Sequence, residues 1–200
     1  MSTITEKLAL LMNTKAEIKK AIEENGVTVG DIPFSKYPDL IRRQECDPYL
    51  VYITTKAYER IQIIHKKEYA ESITLEDGTR IPINGSGLLD YAFTNVGIHR
   101  VRIKFKRDVT NFYDCFSNCT SLVSIPAGLF GGCTAVTDFY GCFYDCTSLT
   151  GETPTDKNGN KLWERAGKPG YPEEINGADC FTNCAKLSDY SNIPSDWKGL

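Results

Sequence analysis

Eight cysteines and two histidines are the side chains of this 200-residue sequence best suited to chemistry. Six cysteines form three pairs, Cys115/Cys119, Cys142/Cys146 and Cys180/Cys184, each spaced Cys-x-x-x-Cys with a phenylalanine directly after the first thiol. Structural zinc is usually held by two Cys-x-x-Cys knuckles or by cysteine with histidine, a spacing these pairs do not show. Disulfides would suit a small secreted domain. A third role is that of a compact buried hydrophobe. The pairs share one register with the residues around them, so core packing is the reading adopted, with disulfides and a metal as alternatives. Asp156-Lys-Asn-Gly-Asn160 resembles a calcium loop only in part: its glycine is misplaced and no glutamate stands at the twelfth position, so it reads as a turn. His65 and His99 lie in strand-like segments with no nucleophile pattern nearby, and neither a phosphate-cradling glycine loop nor Gly-x-Ser-x-Gly occurs. No catalytic residue, metal or cofactor is therefore expected, and the chain reads as a non-enzyme.

Binding is a different matter. Tyr113, Tyr140, Tyr144, Trp163 and Tyr171 fall outside the repeated core positions and are candidate contact residues, because tyrosine and tryptophan offer large contact areas at low entropic cost. The alternative is that they cover the flank of their own fold.

What must position these groups is a stretch that repeats itself. Phe116-Ser-Asn-Cys119-Thr-Ser-Leu122 returns as Phe130-Gly-Gly-Cys133-Thr-Ala-Val136, as Phe143-Tyr-Asp-Cys146-Thr-Ser-Leu149, and as Phe181-Thr-Asn-Cys184-Ala-Lys-Leu187. Recurrence of an aromatic, a thiol and an aliphatic at fixed offsets is how stacked turns bury the same three side chains. The last copy follows an insertion, residues 151–177, rich in glycine, proline and turn formers, and Ser191 to Trp197 reads as a cap.

Ahead of the repeats, Thr3-Ile-Thr-Glu6 fits a capping box, and Ile4, Leu8, Leu11, Ile18 and Ile22 share a helical stripe that ends at Asn25-Gly26. The narrow stripe could join copies of the chain or dock on its own domain. From Asp47 to Arg107 the period becomes two. Tyr49–Thr54, Arg60–Ile64, Ser72–Leu75, Arg80–Ile83 and Arg100–Lys106 read as strands, with Asp77-Gly78 as a hairpin turn and Pro82 at an edge. Arg100, Arg102, Lys104 and Lys106 form an outward basic row that is either solvated or docks an acidic partner. The sequence therefore predicts an α+β, multi-module fold. Its parts are a helical anchor or oligomerisation segment (residues 1–45), a small antiparallel β domain (46–108), and a leucine-rich-repeat-like solenoid (109–200).

Composition narrows the class. With 41% hydrophobic and 24% charged residues and a net charge of −3, the chain is not expected to bind nucleic acid, and no apolar run is long enough to insert in a membrane. The N-terminus lacks the basic segment and continuous apolar run of a secretory signal.

Two resemblances complete the reading. Thr14, Lys15, Ile18, Ala21, Ile22, Gly26, Val27, Val29, Pro33, Phe34, Tyr37 and Ile41 resemble an N-terminal module frequent in bacteriophage and prophage tail and fibre proteins. Tyr91 to Phe105 followed by the Phe-x-x-Cys-Thr-Ser-Leu units resembles the BspA-like leucine-rich-repeat proteins of gut bacteria and their phages. Together they imply a virion protein, a head or tail fibre or decoration protein. The N-terminus would fasten to other virion proteins, the copies would associate with three favoured, and the repeats would meet a bacterial surface glycan or protein. The alternatives are a cell-surface adhesin, which the missing export signal disfavours, and a purely structural capsid or tail component.

Overall fold

The computed structural model describes residues 49–200 apart from residue 157. The expected helix with Ile4, Leu8, Leu11, Ile18 and Ile22 lies outside the described residues, as does Cys46. Seven strands occur among the described residues: β1 (Tyr49–Thr54), β2 (Arg60–Ile64), β3 (Ala70–Leu75), β4 (Arg80–Ile81), β5 (Leu89–Ala92), β6 (Gly97–Phe105) and β7 (Leu122–Ser124). Five form one sheet in the order β4-β3-β6-β1-β7 and two form another, β2-β5. Every pairing is antiparallel.

Local sequence explains the strands. In β6, Val101, Ile103 and Phe105 are buried while Arg100 and Lys104 are exposed, the period-two pattern of a half-buried strand. The outer residues are paired: Arg100 meets Glu76 at 3.3 Å and Lys104 meets Glu71 at 2.9 Å. Such exposed pairs contribute little to stability. The β3–β4 hairpin turns at Asp77-Gly78, where Gly78 has φ +87° and Asp77 accepts the backbone N–H of Thr79 at 2.8 Å. Tyr52 of β1 links the two sheets, donating its buried hydroxyl to the Ile63 carbonyl of β2 at 2.6 Å.

The α+β fold with a leucine-rich-repeat solenoid is overturned. Among the described residues there is no α-helix, only short 3-10 turns, and the sheets are the two antiparallel ones above. The repeats do stack. Backbone N–H groups of Phe112, Asp114, Phe116 and Asn118 donate to the carbonyls of Asp138, Tyr140, Cys142 and Tyr144, and the next turn repeats the pattern onto Asn176, Ala178, Cys180 and Thr182. They do not extend into a parallel sheet; only isolated parallel bridges form, Asn111 with Asp138, Asp138 with Asn176, and Gly151 with Leu187. The reason is in the backbone. The residues before the paired cysteines are left-handed: Asp114, Asn118, Gly141, Asp145, Asp179 and Asn183 have φ between 52° and 63°. Two left-handed residues per turn curl the chain where a leucine-rich repeat would run straight, and Asp, Asn and Gly tolerate that geometry best.

One hydrophobic core runs from Leu50 to Trp197. The repeat residues Phe116, Cys119, Leu122, Phe130, Cys133, Val136, Phe143, Cys146, Leu149, Phe181, Cys184 and Leu187 are all buried in it. Their rings stack turn on turn: Phe116 on Phe143 at 5.3 Å and Phe143 on Phe181 at 5.4 Å, nearly parallel in both cases. The first turn is closed by the strands, through His65 N–H to the Cys115 carbonyl at 2.8 Å and Ile53 N–H to the Ser121 carbonyl at 3.0 Å. The last turn is closed by the chain end, where Asp179 and Phe181 N–H reach the carbonyls of Asp196 and Trp197.

Candidate functional site

Each stacked turn is opened by an Asx residue that bonds its own backbone. Asn111 accepts the N–H of Tyr113 at 2.6 Å, Asp138 that of Tyr140 at 2.8 Å, and Asn176 that of Ala178 at 3.2 Å. The same three side chains also bond one another, since the amides of Asn111 and Asn176 both donate to the Asp138 carboxylate, at 3.2 and 3.1 Å. This ladder holds the following residues in register. Tyr113 and Tyr140 are therefore superposed, ring centroids 5.2 Å apart and planes within 9°. At the third turn the place is taken by Ala178.

Charged groups flank the pair. Lys66 Nζ lies 5.9 Å from the centre of the Tyr113 ring. Asp114 follows Tyr113, and its carboxyl is pushed up by burial, with His65 and Lys66 opposing. Gly141 takes its place one turn on, and a Cβ there would strike the Asp114 carboxylate. The Asp179 carboxylate acts on the Tyr140 hydroxyl and raises its pKa. The surface thus joins two stacked rings to one cation and two carboxylates on backbone fixed by hydrogen bonds to both neighbours. Tyr113 is 41% exposed and Tyr140 half-buried.

The other aromatic candidates are placed differently. Tyr144 is half-buried in the second turn at the position of Ser117 and Thr182. Trp163 packs edge-on to Phe181 at 6.2 Å and against Trp197 at 6.0 Å, as part of the core flank. Tyr171 donates its hydroxyl to Asp156 at 2.8 Å, with the Arg165 guanidinium 5.5 Å from its ring centre.

The seven described cysteines are free thiols and buried. Two of them donate across turns, Cys146 to the Phe116 carbonyl and Cys184 to the Phe143 carbonyl, both at 3.1 Å. Burial drives every one of them up, Cys184 to about 12, so their thiolate fraction near neutral pH is very small. They are packing groups with a weak directional bond. No group of three or more ligating side chains suited to a metal occurs among the described residues. At Asp156 the oxygens already accept the N–H groups of Asn158 and Asn160, the Asn160 amide and the Tyr171 hydroxyl, all at 2.8 Å. Donors facing a carboxylate from every side leave no lone pair for a cation. His99 is stacked 3.8 Å from Phe93 with Nε2 2.8 Å from the Thr54 hydroxyl, and burial lowers its pKa.

Asp189, just past the last repeat unit, is the buried tie that holds the insertion. It accepts Lys161 Nζ at 2.7 Å, the Thr153 hydroxyl at 2.6 Å and the Thr153 N–H at 3.1 Å. Burial alone would raise its carboxyl, but Lys161 and Thr153 prevail and hold it below the usual range. A depressed folded pKa contributes stability that is complete above the unfolded value of about 3.9 and is lost as pH falls through the folded value. Urea midpoints measured from pH 7 down to pH 2 should accordingly fall on the acid side, and Asp189→Asn should flatten that limb; an unchanged limb in the variant would discount the tie.

Sequence reasoning missed the Asx ladder and the left-handed residues, though their signal is present as Asp or Gly before the first cysteine and Asn or Asp before the second. It also missed Arg165, buried at 1% exposure. Comparison of the chain with family models, curated proteins and solved structures returns no match.

Proposed function

We propose that this chain is a structural protein of a bacteriophage particle, a head or tail fibre or decoration protein. Its N-terminal segment attaches to other virion proteins, and residues 49–200 carry a binding face for a host-surface glycan or protein or for a neighbouring particle protein. The observation that carries the reading is the stacked Tyr113/Tyr140 pair between Lys66 and the carboxylates of Asp114 and Asp179. Preorganised rings lose little entropy on binding and are the usual centres of recognition surfaces. The resemblance of residues 14–41 to phage tail and fibre modules supports the particle context. Association of copies, three favoured, would multiply weak contacts into avidity.

Mass spectrometry of purified particles should find the chain. The purified protein should compete with particles for adsorption to host cells or to particle components. Tyr113→Ala/Tyr140→Ala is expected to weaken that competition at least tenfold, about 1.4 kcal/mol, while shifting the urea midpoint little because Tyr113 is largely outside the core. Equal competition by the double variant would remove the tyrosine face from the proposal, and absence of the chain from particles would remove the virion.

A further inference from the structure

The pairing of β3 with β6 ends at Leu75 opposite Val101, and past that point the β3–β4 turn and the start of β6 border a notch of about 400 Å³. The turn contributes Glu76 and Asp77, and β6 contributes Ile98, His99 and Arg100. The base is aromatic: Phe93, 7% exposed, stacks on His99 at 3.8 Å and meets Tyr91 edge-on at 4.9 Å, and all three rings line the notch. Ile98, 64% exposed, adds an apolar wall. The charges here are already answered. Glu76 is paired with Arg100 at 3.3 Å, Asp77 accepts the Thr79 N–H at 2.8 Å, and burial lowers the pKa of His99, which leaves its ring neutral near pH 7. By contrast, the Tyr91 hydroxyl and the exposed side-chain amide of Asn95, which also lines the notch, make no hydrogen bond within the described residues. A backbone outlier adjoins the same place. Tyr58 is left-handed at φ 58°, and its N–H donates to the Phe93 carbonyl at 2.7 Å in a turn locked by Glu59, which accepts the N–H groups of Thr55 and Lys56. A bulky residue in that conformation is strained, and such strain gathers at binding sites.

We infer that this notch binds a neutral saccharide, one pyranose ring laid with a C–H face against Tyr91 and Ile98 while its hydroxyls bond Asn95, Asp77 and the Arg100–Glu76 pair. The volume lies in the range of small-ligand sites, which combine an apolar or aromatic lining with a few placed polar groups. An ion would find no unmet charge to pair with. A hydroxyl both donates and accepts, so adjacent hydroxyls of one sugar can give a proton to a carboxylate oxygen of Glu76 or Asp77 and take one from the Arg100 guanidinium or the Asn95 amide. Such bonds to charged groups are the stronger ones. The aromatic base excludes water beneath the sugar and gives its apolar face a partner. The notch shares no residue with the Tyr113/Tyr140 face and stands whether or not that face binds a partner.

The test titrates the full chain with the methyl glycosides of glucose, galactose, mannose and N-acetylglucosamine, and with glucuronate and glucosamine as charged counterparts, read by saturation-transfer NMR on the sugar. At least one neutral sugar should bind saturably, with the strongest transfer to the C–H protons of one ring face. Glu76→Ala/Arg100→Ala is expected to bind at least tenfold more weakly at a urea midpoint close to the parent's, because an exposed ion pair contributes little to stability. Tyr91→Leu, which keeps an apolar side chain and removes the ring and its hydroxyl, should weaken binding to a similar degree. Absence of saturable transfer from every neutral sugar, tighter binding of either charged sugar than of all the neutral ones, or parent affinity in either variant would overturn the inference.

Discussion

Phe143→Ala is expected to lower the unfolding free energy by ~3–5 kcal/mol, the usual loss when a buried aromatic is truncated. Phe143 is fully buried, stacks on Phe116 and Phe181 at once, and meets the edge of Phe130 at 6.0 Å. Removing it leaves a void between two turns whose backbones are pinned by hydrogen bonds above and below, so neither can move in to fill it. Domains of this size are commonly stable by about 5–15 kcal/mol, so the variant should stand near its limit. Urea titration followed by the fluorescence of Trp163 and Trp197 reads the change as a lower midpoint at unchanged slope. A loss below about 1 kcal/mol would mean that the rings do not support the stack.

Gly177→Ala tests the closing of the last turn. Gly177 is buried, and a Cβ there would run into the indole of Trp197, a rigid ring held 4% exposed against Phe181 and Phe139. The indole is packed among Phe139, Trp163 and Phe181 and cannot retreat without displacing one of those rings. A penalty of about 3 kcal/mol is expected, the upper part of the overpacking range. The same substitution in a Trp197→Ala background should be nearly silent, because the clash would be gone. Equal penalties in both backgrounds would place the strain elsewhere.

The fold was unevenly readable from the residues. Periodicity reports burial well, so the phenylalanine, cysteine and leucine set could be read from spacing, and alternation marks Tyr49–Thr54 and Arg60–Ile64 at the bounds they hold. Periodicity says less about backbone shape. The same spacing that suggested leucine-rich repeats is built, in the three units with paired cysteines, from turns with two left-handed residues each, and the resulting layers adjoin an antiparallel sheet. β5 carries no clean alternation and all four of its residues are half-buried, so only its pairing with β2 reveals it. β7 contains Leu122, a repeat position, but becomes a strand through β1, more than sixty residues away in sequence. At the candidate sites, Tyr113 and Tyr140 could be named from their exposure outside the core phase. Trp163 could not be assigned from sequence, because contact with Phe181 and Trp197 depends on how the insertion folds back. Arg165 sits in a polar stretch, Glu164 to Lys168, that gives no sign of burial.

The Asn111, Asp138, Asn176 ladder has a bearing on how separate molecules behave toward each other. Rows of identical amides stacked in register are what lets one chain template another into a fibril. Here the middle rung is an acid and its neighbours are amides, so each bond runs from a neutral donor to a charged acceptor. If the middle turn of one molecule were laid on the middle turn of a second, two carboxylates would face each other and repel. The rung that keeps the turns in order within a chain thereby discourages copies from growing into one another.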